Sequence, residues 1–291
     1  MNKSLTIIIP SYRSKKLVIP HIHKFYKKFK IIVIENSNDL SLKKILKKKY
    51  RNVDIYLKNN IGFGRAVNYA SRKVKTKFFF VINPDTKIYQ KTLINLLKAT
   101  KKIDKFGAIG PIYINQKNIY KKNSILETKK IIAAAMLVET KIFRTIKGFD
   151  ENYFLYYEDD DYFTKCNSLN LKLYQITNCF IKHNKTKKMK KSLNLHSTSF
   201  SNLEEKNSTY VTGGWHGQWS KFYYFKKHKG LFSALKICLP NVLLNLIQLI
   251  PYIFYNPNKA KYKYFKIEGF LCSLFGFPSF KRSKFDKKYL I

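Results

Sequence analysis

Acidic residues are scarce: 17 Asp and Glu stand against 57 Lys and Arg, a formal net charge of +40 over 291 residues. Arginine is scarce too, with six (positions 13, 51, 65, 72, 144 and 282), so the basicity is almost wholly lysine. A basic balance usually points to nucleic acid or an anionic membrane. That inference is weakened here, because Ile, Asn, Tyr and Phe are abundant as well, all have A/T-rich codons, and genomic nucleotide bias gives the same composition. The four cysteines, Cys166, Cys179, Cys238 and Cys272, lie far apart without a CxxC pair, so neither a zinc knuckle nor a disulfide framework is expected and a reducing cytoplasm fits. The first apolar run, Leu5–Ile9, stops at Pro10 and is too short for a signal h-region. It reads as a strand, and export is not expected. Apolar material is plentiful, at 45% hydrophobic and 16% aromatic, which excludes disorder throughout and suffices for one large core with a small appendage.

Runs at Leu5–Ile9, Ile31–Ile34, Val53–Leu57, Phe78–Ile82 and Ala108–Tyr113 are short, unbroken and rich in branched and aromatic residues, as for parallel strands buried on both faces. Between them Leu40–Tyr50, Arg65–Val74 and Lys91–Ile103 repeat apolar residues at three- and four-residue steps, as helices covering a sheet do. Alternating β and α predicts a doubly wound, mostly parallel α/β sheet with helices on both faces. Ligands of such sheets sit beyond the carboxyl ends of the strands, which singles out Pro10-Ser11-Tyr12, Glu35-Asn36-Ser37, Asn59-Asn60-Ile61-Gly62 and Asn83-Pro84-Asp85. Residues 187–212 are polar and read as a loop, whereas 230–255 is strongly apolar. The expected division is a domain over residues 1–212 and a helical appendage over 213–291.

The strongest local signal is acidic. Asp150, Glu151, Glu158, Asp159, Asp160 and Asp161 place six of the 17 carboxylates in a 12-residue window, where an even spread gives fewer than one. Crowded like charges cost free energy unless a cation, a proton or a partner relieves them, so the cluster suggests metal-dependent chemistry or proton abstraction; a solvated acidic loop among lysines is the alternative. Asp85, after the fourth strand, suits Mg²⁺ or Mn²⁺ and equally suits the N-cap of a following helix. Two glycines and Arg65 in Asn60-Ile-Gly62-Phe-Gly64-Arg65 stand at a helix entry, a usual place for phosphate contacts.

The ordered motifs Ile-Ile-Ile-Pro-Ser-Tyr, Val-Ile-Glu-Asn-Ser, Asn-Asn-Ile-Gly-Phe-Gly, Asn-Pro-Asp and Gly-Phe-Asp-Glu-Asn-Tyr-Phe-Leu-Tyr-Tyr-Glu-Asp-Asp-Asp resemble the family 2 glycosyltransferases of GT-A fold over roughly residues 4–185. The likeness is greatest to bacterial rhamnosyltransferase-like members, and Gly214 to His228 is similar to a C-terminal segment of that subgroup. The resemblance implies inverting transfer of a sugar from a nucleotide diphosphate donor, with a divalent cation, Mg²⁺ or Mn²⁺. It makes Asp85 the metal ligand and His183 a metal or diphosphate contact. Pro10, Tyr12, Glu35, Asn60, Gly62, Arg65 and Asn83 would contact the nucleotide sugar. Asp159 would be the general base, supported by Glu158 and Asp161. There are departures: Glu35 replaces a usual Asp, Ala133-Ala134-Ala135-Met136 replaces a glycine-containing run, and Thr186 with lysines follows His183. Lys187, Lys188 and Lys190 would add countercharge to the leaving group or form a solvated face.

Leu231–Tyr255 contains Lys236, Pro240, Asn241, Asn245, Gln248 and Pro251, so an interfacial or partly buried element is expected rather than an unbroken spanning helix. With its flanking lysines it suggests a cytoplasmic enzyme held peripherally on an anionic membrane, acting on a glycan or lipid-linked acceptor for a bacterial surface polysaccharide. Two alternatives are a basic nucleic-acid binder, motivated by 23 Phe and 21 Tyr that could stack on bases, and a sugar nucleotidyltransferase. The first lacks any recognisable nucleic-acid module, so no specific nucleic-acid partner is expected. The second lacks a glycine-rich loop after the first strand.

Overall fold

The computed structural model describes residues 4–116, 124–183 and 210–282. They form two compact units: one holds the described residues up to 61 with 65–149 and 162–183, the other 62–64, 150–161 and 210–282.

The first unit begins with β1 (Leu5–Ser11), α1 (Lys15–Phe25), β2 (Lys30–Glu35), α2 (Leu40–Lys49), β3 (Val53–Leu57), α3 (Phe63–Ser71) and β4 (Phe78–Ile82), the four strands being parallel. Then follow β5 (Thr86–Ile88), α4 (Gln90–Ala99), β6 (Ala108–Tyr113), β7 (Ile125–Thr128), β8 (Ala135–Glu139), α5 (Thr140–Thr145), α6 (Glu158–Ser168) and β9 (Leu173–His183). The sheet order is β3-β2-β1-β4-β8-β6-β9-β5, with β7 paired to β9. All five expected strands are present. The fifth, β6, has mixed neighbours, parallel to β9 and antiparallel to β8, because β8 enters between it and β4.

Both faces of the sheet are covered. On one, Leu5, Ile7, Ile9, Val33 and Phe80 pack with Val18, Ile22 and Phe25 of α1, Leu42 and Leu46 of α2 and Leu93 of α4. On the other, Phe79 meets Phe143 edge-on at 5.0 Å, and Phe143, Phe149 and Tyr162 close a buried aromatic group. α2 starts where Asp39 accepts from Ser41 N (2.8 Å) and Leu42 N (3.1 Å) and ends in Lys47, Lys48 and Lys49, which suit the helix dipole. β1 runs on through Pro10, paired with Ile34, two residues past the end of the β1–β4 ladder at Ile8, so the missing N–H breaks no bond to β4.

The second unit is helical in its C-terminal part, as expected: a π-turn (Tyr210–His216), α7 (Gly217–Tyr255) and α8 (Pro257–Leu274). Phe222, Ala234, Cys238 and Val242 of α7 pack with Ile267 and Phe270 of α8. The break in α7 falls at Gly230 (φ 80°, ψ 168°), while Pro240 and Pro251 are absorbed within it. Residues 211–255 form the one helical stretch, among the described residues, long and apolar enough to cross a membrane, with mean hydropathy 1.8 in its most apolar window. Asn256 caps α8 by accepting from Lys259 N at 3.1 Å, and Pro257 follows at the first helical position. All four cysteines are free thiols.

Candidate active site

In the first unit, parallel pairing lines up the strand ends. Ser11 lies opposite Glu35, and Glu35 opposite Leu57. Glu35 is 1% exposed and held by two serines: Oε2 accepts from Ser11 Oγ at 2.5 Å, and Oε1 from Ser37 N at 2.8 Å and from Ser37 Oγ. Ser37 Oγ also accepts from Arg13 N at 3.2 Å, and Asn60 N donates to Asn36 O at 2.8 Å. These bonds gather Pro10, Tyr12, Glu35 and Asn60 at one end of the sheet. Arg65 is exposed in the first turn of α3.

The Asn83-Pro84-Asp85 turn follows β4. Asn83 N donates to Ala134 O at 2.9 Å, and Thr86 N returns to Asn83 O at 3.0 Å. His21, on α1, lies beneath it with Nε2 3.1 Å from Pro84 O. Burial lowers its pKa more than that carbonyl raises it, and because a carbonyl oxygen only accepts, Nε2 is the donor in this bond. Nothing in its spacing marks His21 for this place, because the contact spans 63 residues of sequence. The helix-cap alternative for Asp85 falls away: Thr86 opens β5, opposite His183 of β9, and α4 begins behind Tyr89. His183 ends β9, but its side chain lies outside the described residues, as do Lys187, Lys188 and Lys190.

Asn83 Oδ1 is buried and has no hydrogen-bond partner, and the half-buried Asp85 carboxylate is two residues on. These are hard oxygen donors of the kind Mg²⁺ and Mn²⁺ take when phosphates and water complete the shell. Among the described residues no cluster of three or more His, Cys, Asp or Glu side chains is placed to hold a metal by itself. The donors fit a cation that arrives with a diphosphate.

In the second unit the segment 150–157 is pinned by aromatic packing. A Cβ on Gly62 (φ +88°) would stand 2.3 Å from Phe154 O, so only glycine fits. Arg282 lies 3.7 Å from the Phe154 ring centroid, and the buried His216 ring packs tilted against it at 4.6 Å, held by Ser279 Oγ (3.0 Å) and Lys281 O (2.7 Å). Tyr153 packs edge-on against Tyr223 at 5.0 Å. Tyr156 and Tyr157 are both left-handed (φ 70° and 66°), which costs bulky residues roughly 1–2 kcal/mol each. Strain of this kind collects at functional sites.

The four carboxylates that open α6 meet the positive end of its dipole, yet their fates diverge. Glu158 is buried with Oε2 unpartnered, and burial, then Asp159 and Asp160, push its pKa up to about 8. Asp159 is partly exposed, and its Oδ1 accepts from Asp160 N at 3.0 Å. Asp161 has no exposed surface, and its Oδ1 accepts from Lys227 Nζ and His228 Nε2, both at 2.7 Å. Lys227 also meets Asp150 Oδ2 at 2.8 Å, to which Tyr223 OH donates at 3.1 Å. Burial alone would raise the Asp150 pKa, but these partners and Asn152 N–H hold it below the usual range; Lys227 is raised in turn, its two carboxylates outweighing burial. The segment 214–228 carries no local signal of this ion pair, whose partners stand 66 residues apart.

A mostly parallel sheet with its polar turns gathered at the strands' carboxyl ends defines an α/β fold of the nucleotide-binding type. Its family is narrower: the chain belongs to glycosyl transferase family 2, whose sequence profile matches residues 6–174, and it is a glycosyltransferase. No curated protein sequence matches it. Among solved structures it is similar to the mannosyltransferase PcManGT from Pyrobaculum calidifontis in complex with GDP-Man and Mn²⁺, at 12% identity and TM-score 0.53, covering 94% of this chain and 88% of that one. It is also similar to GalNAc-T7 with UDP, GalNAc and Mn²⁺, at 11% identity and TM-score 0.52, covering 62% of this chain but only 43% of that one. These likenesses establish the GT-A fold.

Proposed function

We propose that this enzyme transfers a sugar, with inversion, from a nucleotide diphosphate donor to a glycan or lipid-linked glycan in bacterial surface polysaccharide synthesis. Rhamnose is the sugar its sequence resemblance suggests. On this reading residues 1–212 are the catalytic domain and 213–291 an appendage that holds a cytoplasmic enzyme peripherally at the membrane. The observation that carries the reading is the orphaned Asn83 Oδ1 beside the Asp85 carboxylate at a strand end, in a chain of this family. The GDP-Man with Mn²⁺ and the UDP with Mn²⁺ named for the two similar structures agree with it.

Asp85, with Asn83, would hold Mg²⁺ or Mn²⁺, and His183 is a further candidate. Bound there, the cation supplies Lewis-acid relief of charge on the departing diphosphate. Glu35 is buried and bonded to Ser11 and Ser37, so near the ribose or nucleobase it acts by orienting those hydroxyls. Pro10, Tyr12, Asn60, Gly62 and Arg65 complete the donor contacts. Asp159 accepts the proton of the acceptor hydroxyl as the new glycosidic bond forms and the bond to diphosphate breaks. Glu158, protonated near neutrality, is unsuited to that role, and Asp161 acts by fixing the first turn of α6. A thermal-shift screen of UDP-, GDP- and dTDP-sugars with and without Mn²⁺ tests the reading, since a ligand of the native state raises apparent stability as RT ln(1 + [L]/Kd). A Mn²⁺-dependent shift with one nucleotide class is expected; no shift with any would refute it.

A further inference from the structure

The part of α7 after Gly230 is apolar on two opposite faces. One is occupied: Ala234, Cys238 and Val242 are buried against Ile267 and Phe270 of α8. The other is open, with Leu243, Ile247, Ile250 and Phe254 at steps of four, three and four residues; Ile247 is 70% exposed and Phe254 78%. From Ile237 to Asn258 there is no charged side chain. An apolar stripe of this length, left uncovered, marks an interaction surface.

Cations stand along the same hairpin. Lys263 Nζ reaches from α8 to Gln248 Oε1 at 2.5 Å, and Lys259 Nζ lies 5.3 Å from the Tyr252 ring centroid, both partners on the turns of α7 that carry Ile247 and Phe254. The pKa of Lys263 is depressed by burial and by Lys259, and that of Lys266 by burial, Lys263 and Lys221, a crowding that anions would relieve. A second copy of the chain laid on the stripe would bring two such sets of lysines together. An anionic bilayer offers hydrocarbon to the stripe and phosphates to the lysines.

Residues 231–255 would reach about 37 Å as a helix, enough to cross a membrane. The occupied face argues against crossing, because α8 carries Lys259, Lys261, Lys263, Lys266 and Glu268 and would be drawn into hydrocarbon with α7. We infer that α7 and α8 form a hairpin lying in the plane of one anionic leaflet, with the Leu243–Phe254 stripe at the boundary of headgroups and acyl chains. This rests on the reading that the enzyme works at a membrane, and specifies how.

Full-length Leu239→Trp, Ile247→Trp and Phe254→Trp proteins are floated with phosphatidylcholine vesicles with and without phosphatidylglycerol, and quenched by lipids brominated at shallow or deep chain positions. All three positions are exposed, and the native Trp215 and Trp219 are buried, so they form a constant background. Flotation with anionic vesicles and one shared, shallow depth for the three positions is expected. Doubly substituted Ile247→Asp/Phe254→Asp protein should partition more than about tenfold more weakly, with circular dichroism and donor-induced thermal shift unchanged. Flotation with Ile247→Trp deepest and both ends shallow would overturn the in-plane hairpin in favour of a crossing helix. Flotation without quenching would overturn it in favour of lysine contact alone. Absence of flotation would overturn the membrane reading itself, and with a dimer in sedimentation would assign the stripe to a second copy.

Discussion

Glu158 is a carboxyl that the fold keeps protonated near neutrality, its pKa pushed up to about 8 by burial, against about 4.3 in an unfolded chain. With the folded value the higher, its contribution to stability is complete below the unfolded pKa and is lost as pH rises through that window, at a slope of up to ~1.4 kcal/mol per pH unit. Glu158→Gln removes the proton linkage while keeping shape, so the decline in Tm between pH 5 and 8 should flatten in the variant; an unchanged slope would show that the carboxyl is solvated. Asp159, its partly exposed neighbour, is the proposed general base. Asp159→Asn is expected to bind donor as the wild type does and to lose ~10²–10⁴ in transfer rate, the usual contribution of a general base. Titration calorimetry and a transfer assay separate the two, and near-normal turnover would place the base elsewhere.

At the scale of elements, the first turn of α6 is tied to α7 through Asp161, Lys227 and His228. Asp161→Ala leaves Lys227 with Asp150 alone and His228 Nε2 without its acceptor, so it should cost ~1–3 kcal/mol in urea denaturation; a loss below about 0.5 kcal/mol would mean that the contact is solvated. This tie was not legible in the sequence. The acidic run stood out by its density, but whether a given carboxylate is a base, a buried acid or an anchor depends on partners from a distant helix. The strands of the sheet were legible, because burial on both faces leaves unbroken apolar runs such as Phe78–Ile82. β8 was not, since Ala135–Glu139 is short and its antiparallel entry between β4 and β6 is a long-range choice that local pattern does not encode. The same holds for α7: Pro240 and Pro251 read as helix breakers, whereas the break is at Gly230, where the backbone turns left-handed.

For the whole molecule, the net charge of +40 and the exposed apolar stripe act over different ranges. Charge attraction to an anionic surface is screened within about 10 Å at 0.1 M salt, while apolar insertion is not, so high salt should release the enzyme from anionic vesicles only in part. Complete release would make lysine the whole of the attachment. Asp85 is proposed to hold a divalent cation for a nucleotide-sugar donor. The most direct test is calorimetric titration of that donor into wild-type and Asp85→Asn protein, each with and without Mn²⁺. Mn²⁺-dependent binding is expected in the wild type and its loss in the variant with an unchanged Tm; equal, Mn²⁺-dependent affinity in both proteins would rule out Asp85 as the ligand.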